Sequence, residues 1–221
     1  MKKQESEIAD LRAHVSKMGE LTETMVSRVT AAVKGKDQDT VYNAVVEEEK
    51  KLDAMQLDID KEAVRMLTVY SPVASDLRFV LSVTRVSAEL ERIGDQSKNI
   101  CGSLQLMLNK ANTQPISQIL RMAEIVEAMV RDAMDAFVQN DARKARATIT
   151  CDDMVDALND QVIEEMLNDD VVRRGIEESV DLPNAMAQIL LSRSFERIGD
   201  QATNICEEVV YMVKGDDIRH Q

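Results

Sequence analysis

Eight acids in this chain fall into four pairs with one spacing: Glu49 with Asp53, Glu91 with Asp95, Asp152 with Asp156, and Glu196 with Asp200. On a helix, residues four apart share a face one turn from each other, so each pair presents two carboxylates side by side. With 40 acids in 221 positions, chance alone supplies about seven acidic i,i+4 pairs, each costing about 0.2 to 0.5 kcal/mol on a solvated face. A single pair is therefore uninformative. These four are set in line with apolar residues: Leu77, Leu81, Thr84, Ala88, Glu91 and Asp95 follow at spacings of 4, 3, 4, 3 and 4. Ala145, Ile149, Asp152, Asp156, Asn159, Ile163 and Met166 do the same, and Val45, Glu49, Asp53, Gln56 and Ala63 repeat it more loosely. Ile189 stands one seam ahead of Glu196 and Asp200. The expectation is that the acids continue the core stripes of their helices.

Four carboxylates gathered in a bundle without a counter-charge resist ionisation, and a cation relieves them directly. Two readings follow, a half-exposed metal site and a solvated acidic groove, and recurrence at equivalent positions favours the first. An all-oxygen donor set suits hard or borderline cations such as Mg²⁺, Mn²⁺, Ca²⁺ or iron rather than a thiolate zinc site. The only histidines, His14 and His220, lie outside every acidic motif. The Glu-x-x-His pattern of helical di-iron oxidases is therefore missing, and redox catalysis on that pattern is disfavoured.

The elements that must position these acids are repeated. ELERIGDQSKNIC, Glu89 to Cys101, returns 105 residues later as SFERIGDQATNIC, Ser194 to Cys206. MGELTETMV from Met18 aligns with MAEIVEAMV from Met122, Asp53 with Asp156, and Asp76 with Asp181. Two copies of one unit fill nearly the whole chain. With only 7 Gly and 3 Pro, the composition favours helix. Each copy reads as three helices, over about 5–34, 39–69 and 72–108, then about 115–138, 141–172 and 181–214. Ser71 is expected to cap the third, with Pro72 in its first turn. Helices of this length joined by short loops lie antiparallel. The fold expected is all-α, two tandem antiparallel three-helix bundles related by an internal repeat, residues 1–110 and 111–221.

The rest of the motif has ordinary readings beside functional ones. Gly94 and Gly199, costly inside a helix, admit either a neighbouring helix or the ion cluster. Arg92 and Arg197 either pair with rim acids or stay solvated, and Asn99 and Asn204 either act as outer ligands or orient the carboxylates. Cys101, Cys151 and Cys206 suggest neither a disulfide framework nor a zinc site and read as buried small residues. The Met-rich first and fourth helices read as core, with a partner groove as the alternative.

A net charge of −13 repels phosphate backbones and anionic lipid, which argues against nucleic-acid and free membrane binding. No run of about 18 apolar residues occurs, and MKKQESEIAD lacks the apolar segment of a secretory signal. The chain is expected to be cytoplasmic. No Gly-rich phosphate loop, nucleophile elbow or HExxH is present, so no enzyme activity is expected.

The doubled ERIGDxxxNI, with PVASDLR upstream in the first copy and SVDLP in the second, resembles the PhoU family. The resemblance covers both repeats. It implies two tandem three-helix bundles that carry multinuclear clusters of divalent or trivalent metal ions (iron, manganese, magnesium or zinc) on E(D)xxxD motifs. Those motifs fall on Glu49, Asp53, Glu91, Asp95, Asp152, Asp156, Glu196 and Asp200, with Arg92, Arg197, Asn99, Asn204, Asp76 and Asp181 as supporting motif residues. The implied function is negative regulation of phosphate uptake and of the Pho regulon. It would be exercised by a cytoplasmic homodimer at the inner face of the membrane, through contact with the ATPase subunit of the Pst phosphate ABC transporter and with a PhoR-type histidine kinase. Gln96 and Gln201 stand where many members have His, and the second repeat lacks an arginine equivalent to Arg78. The rival readings are a carboxylate-bridged metalloenzyme and a metal-free helical scaffold.

Overall fold

Sparse Gly and Pro leave little to interrupt a helix, and the computed structural model, which describes residues 2–35, 38–108, 114–167 and 182–219, is all-helical with no strand among them. The helices are α1 (Lys2–Val33), α2 (Gln38–Tyr70), α3 (Ala74–Leu108), α4 (Ser117–Gln139), α5 (Ala142–Ile149), α6 (Asp152–Met166) and α7 (Leu182–Lys214). In the first repeat α1, α2 and α3 pack on one another, and in the second α4 packs with α5, α6 and α7. The two bundles meet mainly along α3 and α7, the helices that carry the ERIGD motif, with α1 against α4. The buried side chains form one continuous apolar cluster.

On α1 the buried residues Leu11, Val15, Met18, Met25, Val26 and Val29 recur at three- and four-residue intervals, one helix face turned inward. Met18, Met25, Met122, Met129 and Met134 are buried, as the core reading of the Met-rich helices expected. Cys101 and Cys206 are buried free thiols whose pKa burial pushes up to about 12, while Cys151 is half-buried. Polar ties join the two halves. Arg12 of α1 lies over the rings of Phe79 (α3) and Phe137 (α4), 4.5 and 5.4 Å from their centroids. Glu208 of α7, only 4% exposed, accepts from Arg85 of α3 and from Arg219 beyond α7, both at 3.0 Å.

Three expectations need correction. Ser71 does not cap α3. It ends α2 in the left-handed region (φ 45), its N–H donating to the Leu67 carbonyl, and α3 starts at Ala74. A residue before proline is pushed out of the right-handed helical region, so Ser71 closes one helix instead of opening the next. The predicted helix over 141–172 is two. The Cys151 N–H donates to Thr148 O and the Met154 N–H to Cys151 O, the tighter i to i+3 pattern of a 3₁₀ turn. The Thr148 and Thr150 hydroxyls bond back to Lys144 O and Ala147 O, which loosens the ladder there and leaves Asp152 as the first residue of α6. The far end of that predicted helix, and Asp181, lie outside the described residues. Finally, on α3 the acids flank the core instead of running through it: Leu77 is exposed and Leu81, Thr84 and Ala88 are half-buried, whereas Val80, Val83, Leu90, Ile93 and Ile100 form the buried face; on α2 the expected stripe does reach the core, with Val45, Glu49 and Ala63 buried.

Gly94 has a packing role. A Cβ there would lie 2.5 Å from Leu52 Cδ1 of α2, while one at Gly102, in the same helix, meets nothing within 4 Å. Gly102→Ala should therefore stabilise the protein by about 1 kcal/mol through helix propensity. Gly94→Ala should instead lose about 1 to 2 kcal/mol net, because it overpacks the α2–α3 seam. Urea melts of the two variants measure the difference, and equal gains would remove the packing role from Gly94.

Candidate metal site

Each bundle brings two acid pairs to one helix seam, α2 against α3 in the first and α6 against α7 in the second. In the first, Glu49 is buried, Glu91 is half-buried, and Asp53 and Asp95 are exposed. In the second, Asp152 and Glu196 are half-buried and Asp156 and Asp200 are exposed. Both quartets thus lie at a rim where core gives way to solvent.

The acids of each quartet feel one another's charge. Burial and then the neighbouring Asp95 and Asp53 charges hold Glu91 above the usual range, and burial and then Glu49 do the same to Asp95. In the second bundle Asp152 is pushed up to about 6, first by burial and then by Asp200 and Asp156, with the Thr203 hydroxyl pulling the other way. Burial and then Asp200 raise Glu196, and burial and then Asp156 raise Asp200. These shifts express mutual repulsion on partly desolvated carboxylates. Among the described residues, no group of three or more His, Cys, Asp and Glu side chains closes to a metal-holding geometry. The acids share a field without forming a ready-made coordination shell.

The donors of the second quartet suit a hard cation. Asp152 Oδ1 is buried without a hydrogen-bond partner, and Gly199 makes room for it: a Cβ there would lie 3.0 Å from that oxygen. Asn159 Oδ1 and Gln201 Oε1 are also buried and unpartnered. In the first quartet, Lys98 donates to Glu49 Oε1 at 2.7 Å. Sequence reasoning missed this lysine, although its place three residues beyond Asp95 puts it on the same helix face.

Supporting motif residues mostly point elsewhere. Arg92 donates to Glu89 Oε1 at 2.7 Å, outside the quartet, while Arg197 is exposed and acts on Glu196 and Asp200 through its charge. Asn99 donates to Gln96 at 3.4 Å and Asn204 to Glu89 at 3.4 Å, across the α3–α7 interface. Asp76 accepts from Gln4 at 3.1 Å and so ties the start of α3 to α1. His14 pairs with Glu62 at 2.9 Å, away from both quartets.

The PhoU domain model matches the chain twice, over residues 15–104 and 119–209. The chain is 31% identical over 215 residues to the phosphate-specific transport system accessory protein PhoU of Escherichia coli K12, covering 97% of this chain and 87% of that one. It is 33% identical over 216 residues to the PhoU homolog of Pseudomonas putida, covering 97% and 82%. The crystal structure of PhoU from Pseudomonas aeruginosa superposes with a TM-score of 0.87 at 31% identity, over 96% of this chain and 99% of that one. The fold also matches the phosphate transport system regulatory protein PhoU from Streptococcus pneumoniae, with a TM-score of 0.85 at 24% identity over 97% and 99%.

Because Asp152 is held near pH 6 rather than its ordinary 3.8, the folded chain binds its proton more tightly than the unfolded one. Stability from this group therefore falls as pH rises from 3.8 through about 6, and the cost of the charge is fully present above that window. In chelator, Asp152→Asn should raise Tm by about 2 to 5 °C near neutral pH and change it little at about pH 4.5. Thermal melts at the two pH values check this, and an equal shift at both would place Asp152 in the ordinary carboxylate range.

Proposed function

The chain belongs to the PhoU family, and on that premise we propose that it is an accessory regulator of phosphate-specific transport. In this reading it restrains uptake and Pho-regulon expression when phosphate is plentiful, through contacts with the ATPase subunit of the Pst ABC transporter and with a PhoR-type kinase. The observation that carries the reading is the doubled domain match, which takes in both ERIGD motifs and all four acid pairs. Relatives that align with nearly all of the chain are named as phosphate transport accessory proteins. No helix among the described residues is long and apolar enough to cross a membrane. The proposed role needs none, since it works by protein contact.

Metal binding is part of the same reading. Glu49, Asp53, Glu91 and Asp95 would hold cations at the α2–α3 seam, and Asp152, Asp156, Glu196 and Asp200 at the α6–α7 seam. A bound cation supplies positive charge that neutralises the quartet. The carboxylates themselves then fix one helix against the next, and Gly199 gives Asp152 room to approach α7.

Expression of this chain in an Escherichia coli strain lacking its own PhoU tests the regulatory reading. Alkaline phosphatase should be repressed again in phosphate-rich medium. Continued high activity from cells that contain folded protein would overturn the proposal.

A further inference from the structure

The joint between the repeats has its charges answered at one end and not at the other. α3 and α7 run antiparallel along it: Ser82 donates to Glu208 at 3.2 Å and Asn204 to Glu89 at 3.4 Å. At that end Glu208 holds both Arg85 and Arg219. Farther along, an open groove of about 550 Å³ lies between α3 and α7, with Tyr42 of α2 on its wall. Lys98, Arg193 and Arg197 line it, and no carboxylate does among the described residues. In a chain of net charge −13, three cations on one concave surface make a local positive field. We propose that this groove is a binding site for a nucleoside polyphosphate such as ADP.

The groove is graded from apolar to basic. On α7, Leu190, Arg193 and Arg197 follow at spacings of 3 and 4, one helix face that runs about 10 Å along the axis. Because α3 is antiparallel to α7, Leu106 stands at the Leu190 end, and these two leucines are 54% and 43% exposed. Lys98 donates to Glu49 of α2 at 2.7 Å, which brings Tyr42, two turns earlier on α2, to the same apolar end. The guanidiniums lie toward the other. Arg193 and Arg197 are exposed and one turn apart on a shared face. Their charges act on Glu196, and that of Arg197 on Asp200, but neither forms an ion pair among the described residues. Two planar forks so placed suit the oxygens of a polyphosphate. Lys98, already committed to Glu49, adds charge to that end and not a free ammonium.

Gly102 is an independent observation. It sits inside α3, where glycine costs about 1 kcal/mol relative to alanine, and no described residue requires it: a Cβ there would meet no atom within 4 Å. It lines this groove. A bare backbone beside Tyr42 and the two leucines lets a flat ring lie against the helix, and the distance from there to Arg197 is comparable with that from base to phosphates in a nucleotide. The volume is that of small-molecule sites. Inorganic phosphate alone would leave the apolar end unfilled, and an apolar ligand would leave the guanidiniums unanswered. The site uses none of the eight motif acids and does not depend on the regulatory role proposed above.

ADP carrying a fluorescent N-methylanthraniloyl group, titrated into the chelator-treated full chain and followed by anisotropy, tests the inference. Saturable binding is expected, displaced by unlabelled ADP at concentrations at least about tenfold lower than by adenosine or inorganic phosphate. Arg193→Gln combined with Arg197→Gln should weaken binding at least about tenfold. Gly102→Leu should weaken it at least about fivefold while Tm is held or raised, because the new side chain enters the groove and not the core. Unchanged affinity in either folded variant would overturn the site. Displacement by inorganic phosphate as readily as by ADP would overturn the nucleoside assignment. No binding at about 1 mM probe, the result expected if the groove instead takes an acidic segment of a partner protein, would overturn the proposal outright. Should Gly102→Leu fail to fold, the arginine pair decides the question.

Discussion

Like charges held at a packed helix seam must be neutralised or kept protonated, and much of this architecture depends on that constraint. Two unit charges 4 Å apart repel by about 4 kcal/mol at the effective dielectric of a protein surface region, a large fraction of the stability of an ordinary domain. The quartets are tolerable because they lie at the rim, where Asp53, Asp95, Asp156 and Asp200 stay exposed, and only one or two acids per cluster are drawn inward. Where Glu49 goes deepest, an ammonium follows it. Where Asp152 does so, its oxygen is left unanswered and its proton affinity rises.

Positioning such clusters requires long, nearly uninterrupted helices, since each quartet draws on residues from two elements whose register must agree within a turn. The apolar faces of α2, α3, α6 and α7 hold that register. Apart from the buried Glu49, the acids are carried on the flank, so most of the repulsion among them acts at the rim and not within the core. The tight turn before Asp152 interrupts the second seam and makes it differ from the first. The same seams lie close to the joint between repeats, because α3 and α7 both bear motif acids and also pack on each other. Glu89 illustrates the connection: it receives Arg92 from its own helix and Asn204 from the opposite repeat. A change in charge at either quartet therefore arises on a helix that also forms the interface between bundles, which suits a protein whose proposed role is to be read by partners.

Much was legible from residues alone. Scarce Gly and Pro together with three- and four-residue apolar spacing determined the all-helical class, and the recurrence of ERIGDQ..NIC revealed two copies of one bundle, because repeats and helical periodicity are local properties of a chain. The same spacing identified all four acid pairs and their distribution over two seams. What only the tertiary structure decided were the relations between elements: that Leu52 fills the space at Gly94, that Lys98 reaches across the seam to Glu49, that Arg92 and Asn204 turn to Glu89, and that the acids of α3 flank the core. The predicted helix over 141–172 failed for a related reason, since side-chain bonds from Thr148 and Thr150 to the backbone compete with a ladder that periodicity alone would continue. Periodicity tells which residues share a face, but the partner that a face meets depends on how the helices pack, and that is where charge, space and satisfaction are settled.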